Sequence, residues 1–288
     1  MQKFKNLAYL IVFSVMLFSC GEYQKVLNKG SVDEQYKMAV KLYETNNYAK
    51  ALRLFEKITP AYRGKPQMER VQFMVSQANF NEKNYRLAGY YFDRFTKNYP
   101  KSSKNEEASF LSALSYKLAS PVFSKDPTDT NKALEAFQSF INTYPNSDKI
   151  DEANQHYKDL RYKLQKKYFE IAKTYYTTAD YDFRNYKAAI QAFDNLLSDY
   201  LGSEFKEEAL YYRLKCAHDF VLKSTDRRKE SRIKDAIEAY EKLERNFPES
   251  QYMEESNEML ATLKEEQKRI EGIIAQIKEL QKENTKEK

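Results

Sequence analysis

Small and large apolar positions recur along this chain in a fixed frame. In Leu87–Ser102, LAGYYFDRFTKNYPKS, Ala88 is followed by an aromatic four residues on (Phe92), an aromatic at eleven (Tyr99), Pro100 at twelve and Ser102 at fourteen. The frame fits again at Ala133, Phe137, Tyr144, Pro145 and Ser147, and at Ala236, Tyr240, Phe247, Pro248 and Ser250. Looser copies run Ala189, Phe193, Tyr200, Leu201, Ser203 and Ala51, Phe55, Tyr62, Arg63. Residues four apart share a helix face, so the Ala admits a neighbouring helix and the aromatic fills the gap beside it. Proline lacks the donor a helix needs and disfavours helix in the residue before it. Serine followed by acids is a good N-cap. Each copy therefore predicts the second helix of a pair, a tight turn, and the first helix of the next pair.

The five alanines lie 37, 45, 56 and 47 residues apart. The tetratricopeptide period is about 34, with small and aromatic positions on the second helix and Pro near its end. The chain resembles that family, with residues added to most units. Asn47-Tyr48, Asn84-Tyr85 and Asn185-Tyr186 mark where second helices open. The predicted fold is all-α: a right-handed superhelix of about five tetratricopeptide-like pairs plus a C-terminal helix. Its parts are residues 31–146 and 147–250 as N- and C-terminal repeats, then 251–288 as a capping helix and charged tail. Two insertions, SPVFSKDPTDTN from Ser120 and KSTDRRKES from Lys223, read as loops. The second holds the basic residues Arg227, Arg228 and Lys229, with Arg232 just beyond. A solvated loop is the plain reading of this cluster; a dock for an acidic partner surface is the sharper one. Past Ser250, a stripe of Leu260, Leu263, Ile270, Ile273, Ile274, Ile277 and Leu280 predicts one long helix. Its first half caps the array, as such arrays require.

Residues 1–19 have the layout of a secretory signal peptide: a basic start, MQKFKN, then the apolar run Leu7 to Phe18, too short to span a bilayer. Leu17-Phe18-Ser19-Cys20 resembles a bacterial lipobox, which makes Cys20 the lipidation site and 20–30 a linker. Gly21 after it, with no acidic run, points to the periplasmic leaflet of the outer membrane. Cys216 lies in a helical stretch and reads as a buried small hydrophobe.

Aromatics make up 15% of the chain, with 24 Tyr and no Trp, which fits recurring packing positions. The net charge of +6 includes Lys3 and Lys5, so the chain beyond them carries +4, interleaved with acids. That does not argue for nucleic acid. His156 and His218 have no Ser, Cys or second His at ligand spacing, and there is no Gly-rich phosphate loop and no CxxC. No enzyme, metal or cofactor is expected.

A lipobox, five helix pairs and a C-terminal helix together resemble the outer-membrane protein assembly lipoproteins, the BamD family, also described as YfiO or ComL-like. The phrases that carry the likeness are YYFDRFTKNYPKSSKNEEASFLSALSYKLAS and, after the Pro/Asp insertion, KALEAFQSFINTYPNSDKIDEA. The resemblance implies a non-enzymatic subunit of the β-barrel assembly machine. Its N-terminal pairs, about Ser31 to Pro145, would engage unfolded outer-membrane proteins, and pairs four and five would dock on BamA among the other subunits. Two alternatives carry similar features: a periplasmic tetratricopeptide scaffold or secretion pilot, and a SusD-like glycan-binding lipoprotein. The latter needs a large non-repeat region for which this chain has no room.

Overall fold

The structure is a computed structural model that describes residues 21–286, with side chains to residue 282. The signal-peptide segment and Cys20 lie outside the described residues. Every regular element described is a helix: α1 (residues 21–29), α2 (Val32–Glu44), α3 (Tyr48–Tyr62), α4 (Gln67–Asn81), α5 (Tyr85–Asn98), α6 (Asn105–Ala119) and α7 (Thr128–Thr143). They are followed by α8 (Ile150–Thr177), α9 (Arg184–Asp199), α10 (Lys206–Leu222), α11 (Asp226–Asn246) and α12 (Met253–Lys286). The helices fall into two compact units, one running to Leu160 and the other beginning at Arg161.

The frame is visible in the packing. Ala51, Ala88, Ala133, Ala189 and Ala236 are fully buried on the second helices α3, α5, α7, α9 and α11, as are the aromatics Phe55, Phe92, Phe137 and Phe193 four residues on. A further buried position, seven after the Ala, holds Ile58, Phe95, Phe140, Leu196 and Leu243. Within the first unit consecutive pairs are near copies of one another. Phe73 of α4 meets Phe92 at 6.0 Å and Phe95 at 5.3 Å; Phe110 of α6 meets Phe137 at 6.2 Å and Phe140 at 5.4 Å. Such edge-on ring pairs add to the burial of their area.

The turn after four of these second helices is equally regular. Tyr99, Tyr144, Tyr200 and Phe247 close α5, α7, α9 and α11 with φ between −143° and −124° and ψ between 60° and 67°. The serine three residues later does not cap the next helix directly. Its Oγ accepts from the amide two residues on, at 3.1–3.2 Å, at Ser102, Ser147, Ser203 and Ser250 alike. It therefore fixes the turn, and the helix begins three residues past it. At the other edge, Asn46 and Lys83 take up φ of 60° and 61°, the left-handed conformation that ends helices such as α2 and α4.

Three further expectations change. Residues 21–29, expected within a linker, are helical; Tyr23 is buried with Ala39, Ala51 and Phe55. Gln35 Nε2 caps this helix by donating to the carbonyls of Val26 and Leu27, each at 3.2 Å. The stretch from Lys223 is not a loop beyond Thr225, because α11 starts at Asp226 and adds turns of helix instead. The first insertion is loop only over 120–127. Inside α3, the helix runs two residues past Pro60 to Tyr62, the frame's aromatic position.

Candidate partner-binding surface

In the first unit the first helices of consecutive pairs, α2 and α4, line a groove of about 520 Å³. Its floor is apolar: Phe73 and Met74 of α4, both buried, with Phe95 of α5 behind them. Phe73 packs with Phe92 and Phe95 of α5, and Met74 belongs to the core of the first pair. The rim is polar and internally bonded. Tyr43 of α2 donates its hydroxyl hydrogen to Gln77 Oε1, and Gln77 Nε2 donates onward to Glu107 of α6 at 3.3 Å. Lys104 Nζ donates to the same Glu107 at 2.8 Å and lies 5.4 Å from the centre of the Phe73 ring. Burial raises the Tyr43 phenol above its ordinary value, so the hydroxyl stays protonated as a donor. Exposed Arg70 stands at the mouth. Glu69, Arg70, Gln77 and Lys104 give the groove donors and acceptors around an aromatic floor, the composition of a peptide site.

The basic cluster read from the sequence comes apart in the structure. Arg227 and Arg228 are exposed on α11. Lys229 points inward: its side chain is 8% exposed and its ammonium donates to Glu266 of α12 at 2.8 Å. Arg232 lies flat on Phe220, 3.7 Å from the ring centre, and donates to Ser224 Oγ. Burial, then the neighbouring charge of Arg228, weakens its hold on its proton. Two of the four cations thus tie α11 to α10 and α12, and Arg227 and Arg228 stay in solvent.

Arg213 and Gly89, two structural residues, were not picked out in the sequence. Arg213 of α10 is buried, and its guanidinium donates to Asp194 of α9 at 3.2 Å and to Asp235 of α11 at 2.8 Å. Burial opposes its charge; the two carboxylates more than restore it. Gly89 of α5, one residue past the frame Ala, accepts from Ser112 Oγ at 2.9 Å, and a Cβ there would sit 2.9 Å from the Tyr116 ring. A glycine inside an otherwise regular helix was its signal. Cys216 is fully buried and donates to the Tyr186 carbonyl at 3.3 Å, and burial pushes its thiol far up. His156 packs on Phe137 at 5.3 Å and accepts from Lys117 at 2.5 Å, while His218 pairs with Asp219 at 2.9 Å.

Compared with known families, residues 28–230 match the family described as YfiO, outer membrane lipoprotein. That span takes in α2 to α10 whole. The chain belongs to the YfiO family of outer membrane lipoproteins. Among curated relatives, the outer membrane protein assembly factor BamD of Haemophilus influenzae is 23% identical over 185 residues, covering 61% of this chain and 70% of that protein. A putative assembly factor BamD of Aquifex aeolicus is 25% identical over 249 residues, covering 84% of this chain and 78% of the relative. One solved structure, titled "Computational Design of Self-Assembling Cyclic Protein Homooligomers", covers 93% of the chain at 15% identity, but its TM-score of 0.20 carries no weight for fold or function. Among the described residues of this YfiO-family chain, no helix is long and apolar enough to cross a membrane.

Proposed function

We propose that this YfiO-family chain is a lipid-anchored, non-enzymatic subunit of the β-barrel assembly machinery on the periplasmic side of the outer membrane. In this reading the first unit holds segments of unfolded outer-membrane proteins. The second unit, with pairs four and five, docks on BamA. The observation that carries the substrate part is the groove over Phe73 and Met74, with its bonded rim of Tyr43, Gln77, Glu107 and Lys104. An extended segment of alternating character would set apolar side chains on that floor, while its backbone and polar groups meet the rim. The names of the two relatives support the assembly role.

Anchoring is assigned to Cys20. Its thiol would be alkylated by diacylglycerol and, after cleavage, its amine acylated. Each buried methylene contributes about 0.8 kcal/mol, and stable anchoring takes more than one chain, which three acyl groups supply. The α1 helix, docked on pair one through Tyr23 and Gln35, then begins directly at the membrane tether.

The test is a mild-detergent pull-down of the tagged chain from outer membranes, with mass spectrometry of its companions and of its N-terminal peptide. BamA in near-equal amount and a triacylated Cys20 are expected. Intact lipidation without any barrel component would sink the assembly role and favour a periplasmic scaffold. A photo-crosslinker at Tyr43 should, in the first case, capture unfolded outer-membrane proteins.

A further inference from the structure

The second unit ends in a groove of about 690 Å³ between α11 and α12. Ile233 and Ile270, both buried, and half-buried Ile237 form its floor. Glu230, Glu238 and Glu241 of α11 and Glu271 of α12 stand around it, with Lys234 the one cation of the lining and Glu238 paired to Lys242 at 3.0 Å.

The repeat register says what belongs there. Aligned on Ala189 and Ala236, Ile190 of α9 corresponds to Ile237 of α11, and Asp194 to Glu241. On α9 both positions contact the next pair. Ile190 packs against the cluster that α10 and α11 build with Ala217, Val221, Ile233 and Ala236, as Ile237 does in part; Asp194 accepts from Arg213 of α10 at 3.2 Å. On α11 the corresponding residues line the open groove. Pair two gives a second precedent. Arg86, two before its frame Ala, reaches Asp129 in the next second helix at 2.6 Å; its counterpart on α11 is Lys234, also in the groove. The helix α12 occupies the place of a sixth first helix, with Met259 and Leu263 buried against α10 and α11. Among the described residues nothing occupies the place of a sixth second helix. Aligned on Ser203 and Ser250, the α12 counterpart of Arg213 is Leu260, so α12 offers Glu241 no cation there.

We propose that this groove receives an α-helix of a partner protein, docked as the second helix of a sixth pair. Its chemistry is set by the groove: apolar side chains against Ile237 and Ile270, and Lys or Arg side chains flanking them to meet Glu230, Glu238, Glu241 and Glu271. The inference rests on the register of the array and stands apart from the assembly role proposed above. Helix-in-groove recognition of this kind is read by anchors three and four residues apart, and like-charge juxtaposition rejects the wrong partner.

The test uses the full chain and two fluorescein-labelled stapled helical peptides. Both carry the array's own second-helix frame, an Ala with Phe four and Leu seven residues on; one is flanked by Lys and Arg, its twin by Glu. In low salt the basic peptide should bind roughly tenfold or more tighter than its twin, and the gap should shrink as salt screens it. The double variant Glu238→Lys, Glu241→Lys should reverse the preference. Ile237→Asp, at a half-exposed site, should weaken the basic peptide roughly tenfold with the circular dichroism spectrum unchanged. Equal binding of the twins, no binding of either, or indifference to Ile237→Asp would each overturn the proposal. So would a sedimenting dimer that Ile237→Asp abolishes, which would give the groove to a second copy.

Discussion

Gly89 and Gly272 both lie inside helices, yet the same change to Ala should act on them in opposite directions. In an exposed helix interior, Gly→Ala gains about 1 kcal/mol. At Gly272 a Cβ would meet nothing within 4 Å, so the full gain is expected. At Gly89 the new methyl would lie 2.9 Å from Cε1 and Cζ of Tyr116 and 3.0 Å from its Cδ1. The half-buried ring is packed against the cluster of Phe110, Ala113, Phe137 and Phe140, which it would have to leave to yield. Overpacking of this kind costs about 1–3 kcal/mol. Parting α5 from α6 would also stretch the 2.9 Å bond from Ser112 to the Gly89 carbonyl, worth about 1 kcal/mol. Against a helix gain of about 1 kcal/mol, the net effect of Gly89→Ala is a loss of about 1–3 kcal/mol. Urea unfolding followed by far-ultraviolet circular dichroism reads it, and a double-mutant cycle isolates its cause. In a Tyr116→Ala background the clash is gone, so Gly89→Ala should become neutral or stabilising there. An equal loss in both backgrounds would refute the argument from close approach. Gly272→Ala should appear instead as greater amide protection in the last turns of α12.

Arg213→Met should cost about 2–3 kcal/mol in urea unfolding, because Asp194 and Asp235 lose their shared cation but, being about 40% exposed, can rehydrate. His156 titrates below its ordinary value of 6.5, chiefly through burial and then through Lys117, with Glu152 and Asp159 opposing. A base depressed in the folded state contributes stability above pH 6.5 that is lost as pH falls through that value. His156→Gln should therefore flatten the decline of stability between about pH 7 and pH 5. Cys216, buried with its thiol held protonated, should react with a thiol reagent only once denaturant opens the second unit. Phe73→Ala, which removes the ring under Lys104 and the groove floor, should weaken crosslinking of substrate segments at Tyr43 and cost about 3–5 kcal/mol of stability; Arg70→Glu should do the first without the second.

What the sequence showed was what repeats. Ala, aromatic, Pro and Ser recur at fixed offsets because each answers a packing or turn requirement met anew in every pair, so all five second helices were legible. The buried position seven after the Ala was harder to see because Ile, Phe and Leu all serve there. The α11 start was misplaced because Lys, Arg, Asp and Ser in KSTDRRKES look like loop. In fact Lys229 and Arg232 are partnered by Glu266 and Phe220, side chains distant in the chain that no local pattern displays. The same holds for α1. Tyr23 gives no sign on its own that Ala39 and Ala51 will cover it. The groove over Phe73 was expected only as a region, since its rim is assembled from three helices.

The turn that follows α5, α7, α9 and α11 has nearly the same backbone at Tyr99, Tyr144, Tyr200 and Phe247, and is pinned by the same serine contact. Insertion or deletion at that edge would change the step from one pair to the next. The connections inside pairs vary more: 120–127 is a loop between α6 and α7, and Lys223–Thr225 is a short link between α10 and α11. Inserted tags or domains should therefore be tolerated after Val122 but not between Tyr144 and Ser147.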